Sequence, residues 1–344
     1  MRGDPTAHLL LVRAYTPGQT QLTSHKTAVW LPLVVPALML WLPSSAAAQR
    51  ADPGIPRVNT VYVTAMDRNA VPVTDLTAKD IVLKEGGHIR EIVKVEPASM
   101  PLHICIIVDD SGTGIFRYSV SNFVAQLLGR AEFAIRRVIG QVQTVVNYTS
   151  DVEQLRTAIL SLNAGSQPPK GSQLVEGIFE AAREQQQSQA QRPVIVVLTD
   201  TEAEYSPLPA DHVLEQLRRS GALLYVIAVA SVPVRTGPGL TSPAQPAVPG
   251  TPSVDRPSDL LDRLADVNQV LGDGPAQTGG RRADIGATAG PIRALQEIAQ
   301  ELNHQYLITY VVPAGEKLAQ KLSLSSKRRG VSLRGPAHAD ARTP

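Results

Sequence analysis

Leu102-His103-Ile104-Cys105-Ile106-Ile107-Val108-Asp109-Asp110-Ser111-Gly112-Thr113 runs from an almost unbroken aliphatic segment straight into a loop of carboxylates and hydroxyls. Leu102 to Val108 is too short and too β-branched for a buried helix, so it reads as a strand covered on both faces. Val194 to Leu198 and Ala222 to Ala230 have the same character. Helical spacing fills the intervals: Leu155, Ile159 and Leu162; Leu174, Ile178 and Ala182; Val213 and Leu217; later Leu295, Ile298 and Leu302. Aliphatic strands alternating with amphipathic helices predict an α/β fold, a doubly wound, mostly parallel sheet flanked by helices. Ala131 to Ile135 adds a strand with a hairpin-like partner over Val142 to Tyr148.

Outward from this core, residues 99–230, the pattern changes on both sides. Residues 57–98 read as a small β unit. Val58 to Met66 roughly alternates, Ile81 to Lys84 is a second strand, Glu85-Gly86-Gly87 a hairpin, and Ile89, Ile92, Val93 and Val95 the return strand, stopped by Pro97. After Ala230 a stretch rich in Pro, Gly, Thr and Ala, residues 231–290, has the composition of a disordered insertion, with one short helix expected over Ser258 to Leu271. Residues 291–304 give the last helix of the α/β domain. Strand patterns return over 305–335, and order along the chain suggests that they complete the β unit as a small sandwich; 336–344 reads as a disordered tail.

The 344 residues, 43% hydrophobic and 19% charged, can bury a substantial core, which excludes a disordered chain and a multi-span membrane protein. A formal net charge of +2 and the lack of a basic block interleaved with aromatics argue against nucleic acid as a partner. The single cysteine, Cys105, cannot form an intramolecular disulfide and lies inside a buried strand, as core rather than nucleophile. His103 reads as core or strand edge. Residues 1–48 read as a leader and secretory signal: Lys26 precedes an apolar stretch from Ala28 to Leu42, and small residues through Ala48 follow as signal peptidase requires. That stretch is shorter than the roughly 20 residues of a bilayer span and is interrupted by Pro32 and Pro36, so no stable transmembrane span is expected. The protein is thus expected to be exported, to the periplasm, the cell envelope or the exterior.

Ligands of open α/β sheets sit outside the carboxyl ends of the strands. There the chain offers Asp109, Ser111 and Thr113 after one strand, Thr199-Asp200 after another, and Ser172 at the opening of the helix that carries Leu174 and Ile178. An all-oxygen set of two carboxylates and three hydroxyls suits a hard divalent cation, Mg2+ before Mn2+ or Ca2+, and offers nothing to hold zinc. Asp109-x-Ser111-x-Thr113, then Ser172, then Asp200, resembles in order and spacing the metal-ion-dependent adhesion site of von Willebrand factor type A domains. Leu76 to Asp80 before it and Glu301 to Tyr310 after it resemble the flanks of bacterial exported proteins related to that family. The resemblance covers about residues 57–335 and implies a module that catalyses nothing. Ser111, Thr113 and Ser172 would touch the metal, Asp109 and Asp200 would hold it directly or through water, and a protein partner would supply an Asp or Glu to complete the shell. Thr113 and Ser172 exchange one hydroxyl for another relative to the family. Gly114 stands where a bulky apolar residue is usual, and Thr201 replaces a glycine.

Singly, each site residue has an ordinary role: Ser172 as a helix N-cap, Ser111 and Thr113 as turn formers. Asp110-Ser111-Gly112-Thr113 also fits a short aspartic-protease signature, which needs a second aspartate in a β-rich fold. A subtilisin-like reading needs a His-Gly pair, and no histidine here precedes glycine. The remaining alternative is a structural envelope protein whose metal site is degenerate.

Overall fold

A computed structural model describes residues 56–110, 112–163, 172–200, 206–229, 257–286, 290–316 and 321–339. The leader and signal expected over 1–48 lie outside them.

Among the described residues, six strands form one sheet: β5 (Leu102–Asp109), β6 (Ala131–Ile139), β7 (Gln141–Thr149), β8 (Pro193–Thr199), β9 (Leu223–Val229) and β10 (Arg282–Ile285), in the order β10-β9-β8-β5-β6-β7. All neighbours are parallel except β6 and β7, which a tight turn at Gly140 joins antiparallel. The sheet is doubly wound. Helices α1 (Arg117–Leu127), α2 (Val152–Leu160) and α6 (Gly290–Asn303) pack on Leu102, Ile104, Ile106 and Val108 of one face. Helices α3 (Leu174–Gln187), α4 (Ala210–Ser220) and α5 (Pro257–Thr278) cover Cys105 and Ile107 on the other. With apolar partners on both faces, the central strands needed no alternation, and so they were conspicuous in the sequence.

The flanking segments form antiparallel sheets around a third core of Val63, Leu83, Ile308 and Tyr310. β1 (Arg57–Met66) pairs with β11 (Tyr306–Val312), placing Arg57 opposite Val312, and with the short β13 (Ser332–Arg334). β2 (Ile81–Glu85) pairs with β12 (Leu322–Ser326).

Three expectations are corrected. The return strand of the first hairpin is split. β3 (His88–Ile89) stays with β2, whereas β4 (Ile92–Pro97) crosses to pair with β11. The break falls at Arg90, which turns inward to pair with the buried Glu85 at 3.0 Å. The stretch expected to be disordered holds α5, which runs seven residues past Leu271, and the edge strand β10; residues 230–256 and 287–289 lie outside the described set. Gly272, Gly274 and Pro275 disfavour helix, but packing overrides them: Gly274 lies so close to Leu224 that a Cβ there would be 3.0 Å from its Cδ2. The expected tail is held at its start. The Ala337 amide donates to the Gln277 carbonyl at 2.8 Å, and His338 bridges to Lys321.

One ion cluster joins the two parts. Glu301, on the last turn of α6, is buried and pairs with Arg281, which leads into β10, at 3.0 Å, and with Arg334 of β13.

Candidate functional site

The order of the sheet reverses between β5 and β8, the place where the loops leaving two neighbouring strands diverge to opposite faces and leave a crevice. Asp109 ends β5 opposite Thr199, which ends β8. The Thr199 hydroxyl donates to Asp109 Oδ2 at 3.0 Å, and the Asp200 amide donates to the Asp109 carbonyl at 3.1 Å. Asp109 and Asp200 are therefore fixed side by side, Asp109 buried and Asp200 half-buried.

Helix α3 brings the third element to this edge. Its Gln185 side chain donates to the carbonyls of His103 and Val194, at the start of β5 and β8, both at 3.0 Å. Eight residues earlier Gly177 lies over Ile107. That is about 12 Å of helix against about 13 Å of strand, so α3 runs antiparallel to β5 and the chain before it reaches the level of Asp109. Ser172 lies there and is buried, 3% exposed. It is not the N-cap of α3, which is Gln173, and its Oγ has no hydrogen-bond partner among the described residues.

The loop after β5 is shaped by Asp110. Its Oδ1 accepts from the Gly112 amide at 3.0 Å, and its carbonyl accepts from the Thr113 amide at 3.0 Å. Thr113 is exposed; Ser111 and Thr201 lie outside the described residues. Gly114 has φ +75°, where L residues are rare, and a Cβ there would be 2.8 Å from Asn163 Cβ. The bulky apolar residue usual at this position in the von Willebrand factor A domains that the sequence resembles would be excluded by this backbone. Gly114→Val is expected to lower stability by about 1–3 kcal/mol, read as a fall in the urea midpoint; an unchanged midpoint would contradict the strain.

Sequence reasoning gave two carboxylates no place in this site: Asp110, noted only in the protease signature, and Glu176. Asp110 is 2% exposed with Oδ2 unpartnered among the described residues, and Glu176, in the first turn of α3, likewise has its Oε2 buried without a partner. Ser172 precedes the helix that carries Glu176, so no helical spacing marked the pair in the sequence, and only burial reveals it. Among the described residues no group of three or more His, Cys, Asp or Glu side chains is arranged to hold a metal, so any cation here would depend on hydroxyls as well.

Other residues singled out in the sequence lie elsewhere. Cys105 is fully buried, and burial pushes its thiol up to about 12, which leaves no thiolate near neutral pH. His103, at the opposite end of β5, stacks on Tyr148 with centroids 3.5 Å apart and lies 3.4 Å from Glu132; burial lowers its pKa despite that carboxylate. The parallel, helix-flanked sheet is not the β-rich fold that the aspartic-protease signature requires. No helix among the described residues is long and apolar enough to cross a membrane.

No family model and no curated protein matches the chain. Similar solved structures include a von Willebrand factor type A protein from Catenulispora acidiphila, at 12% identity over 85% of this chain and 75% of that one, TM-score 0.42. Another is the manganese-loaded TRAP protein of Plasmodium vivax, at 11% identity over 76% and 98%, TM-score 0.40. A third is an aerotolerance-related membrane protein from Bacteroides fragilis, at 16% identity over 59% and 98%, TM-score 0.39. At such scores the fold is better defined by its own strand order and pairing.

Proposed function

We propose that this chain is an exported protein-interaction module of the von Willebrand factor A kind. It holds a divalent cation, Mg2+ in the first instance, through Asp109, Ser111, Thr113, Ser172 and Asp200, and receives an Asp or Glu of a protein partner on that cation. The observation that carries this reading is the buried, unpartnered Ser172 Oγ at the level where the order of the sheet reverses. A hydroxyl shut away from water without a hydrogen bond costs about 1–3 kcal/mol, and a cation would satisfy it. The second orphan, Asp110 Oδ2, adds negative charge at the same loop.

The donor set fits a hard cation, since every group is an oxygen. A cation when bound would supply an electrophilic centre, only partly neutralised, for a partner's carboxylate. Asp109 is pre-oriented by the Thr199 hydroxyl, and Asp200 is anchored by its own amide, so neither pays much ordering entropy on binding. Manganese titration followed by electron paramagnetic resonance is expected to find one site per chain, weakened about 10–100-fold in Ser172→Ala. Equal affinity in parent and variant would remove Ser172 from the site. Failure of the parent to bind manganese would leave a degenerate site in a structural protein.

A further inference from the structure

At the other end of the sheet from Asp109, a cleft of about 770 Å³ opens between β1, the loop before β8, the end of α4 and the segment at His338. Its size falls within the range of small-molecule sites. Val61, Leu223 and Leu307 give it apolar walls, and its basic lining is Arg192, Arg218 and His338; no Asp or Glu lines it among the described residues.

Arg192 is the unusual member. Three arginines are buried among the described residues, and two of them meet a carboxylate: Arg90 pairs with Glu85 and Glu316, Arg136 with Glu184. Arg192 meets only neutral acceptors. It donates to the carbonyls of Met100 at 2.8 Å and Leu302 at 2.9 Å and to Gln305 Oε1 at 2.9 Å, and it lies 5.3 Å from the Tyr62 ring centroid. Its Nε is buried and unpartnered. Carbonyls at a helix end offset only about half a charge, so a full cation stays undercompensated in a low-dielectric wall. Arg218 has its own partner, Glu215 at 2.9 Å, but remains partly exposed beside the cleft. Burial, with Arg218 and Lys321 nearby and Glu215 opposing them, lowers the pKa of His338 at the edge of the cleft.

We propose that this cleft binds a small amphipathic carboxylate, its charge drawn to the Arg192 and Arg218 side and its apolar body laid against Val61, Leu223 and Leu307. The site is separate from the Asp109 edge and does not depend on a cation there. Isothermal titration with octanoate and octanamide tests it on the whole protein, since the two share size and apolar body and differ in charge. Octanoate is expected to bind at least about tenfold more tightly than octanamide. Arg218→Ala should lose about fivefold or more of the octanoate affinity and Arg218→Lys much less, with chelator changing neither. Equal affinity for the two probes, no binding of octanoate at millimolar concentration, or an unaltered Arg218→Ala would each overturn the proposal. Arg218 lies on a helix surface, so its variants test the site without removing the buried Arg192.

Discussion

Millimolar magnesium or manganese is expected to raise the melting temperature of the protein by about 5–10 °C, and the combined change Asp109→Ala, Asp200→Ala to erase that rise. A ligand present at a hundred times its dissociation constant stabilises the folded state by about 2.7 kcal/mol, and a domain of this size gains about 2–4 °C per kcal/mol. The comparison is made for each variant against its own metal-free form. That matters because Asp109→Ala also strips the Thr199 hydroxyl of its acceptor and lowers the baseline. Calcium, a larger ion that takes more oxygen ligands at longer distances, serves as a size control. No rise in the parent with any of the three ions would sink the metal reading, while a rise that survives the double substitution would move the ion to another place.

Glu301→Ala is expected to cost about 2–3 kcal/mol, less than the loss of one partner of a fully buried ion pair, because the arginines it leaves are 22% and 33% exposed. Glu301 is almost fully enclosed and faces both Arg281 and Arg334, so its loss takes the carboxylate from Arg334 and leaves Arg281 with Glu297, at 3.0 Å. Glu301→Gln retains volume and an acceptor and should fall between parent and alanine variant. Urea unfolding monitored by circular dichroism reads both. A loss below about 1 kcal/mol for the alanine variant would mean that solvent reaches the two arginines freely enough to replace the carboxylate. Because Arg334 belongs to β13 and Arg281 leads into β10, the same variant should loosen the flanking sheets against the α/β domain.

How far the sequence could be read follows from where the information was stored. β5, β8 and β9 were legible because burial on both faces leaves an unbroken aliphatic run. β10 was not, since an edge strand of Arg282, Ala283, Asp284 and Ile285 needs no such run. The second half of α5 was hidden by Gly272, Gly274 and Pro275, whose poor helical preference is outweighed by contact with Leu224 and Leu214. The split between β3 and β4 falls at Arg90, which pairs with Glu85 nearby and also with Glu316, a partner far along the chain that no local pattern announces. At the site, Asp109 and Asp200 were visible as polar residues closing apolar runs. Asp110 and Glu176 gained significance only once their burial and unpartnered oxygens were known. Gly114 looked like a departure from a pattern, and its left-handed backbone against Asn163 supplies the reason.

The pairing of β1 with β11 also sets the timetable of folding. Arg57 faces Val312, so the first strand must wait for nearly the whole chain before its main partner exists. Such high contact order makes closure slow, because the entropy of a very long loop is surrendered before any ladder bond forms. The α/β sheet can meanwhile assemble from neighbouring segments, leaving β1 and the free side of the β2–β3 hairpin as open edges on a nascent molecule. Those edges are where a holding chaperone would do most good, and where a chain halted before Tyr306 would aggregate.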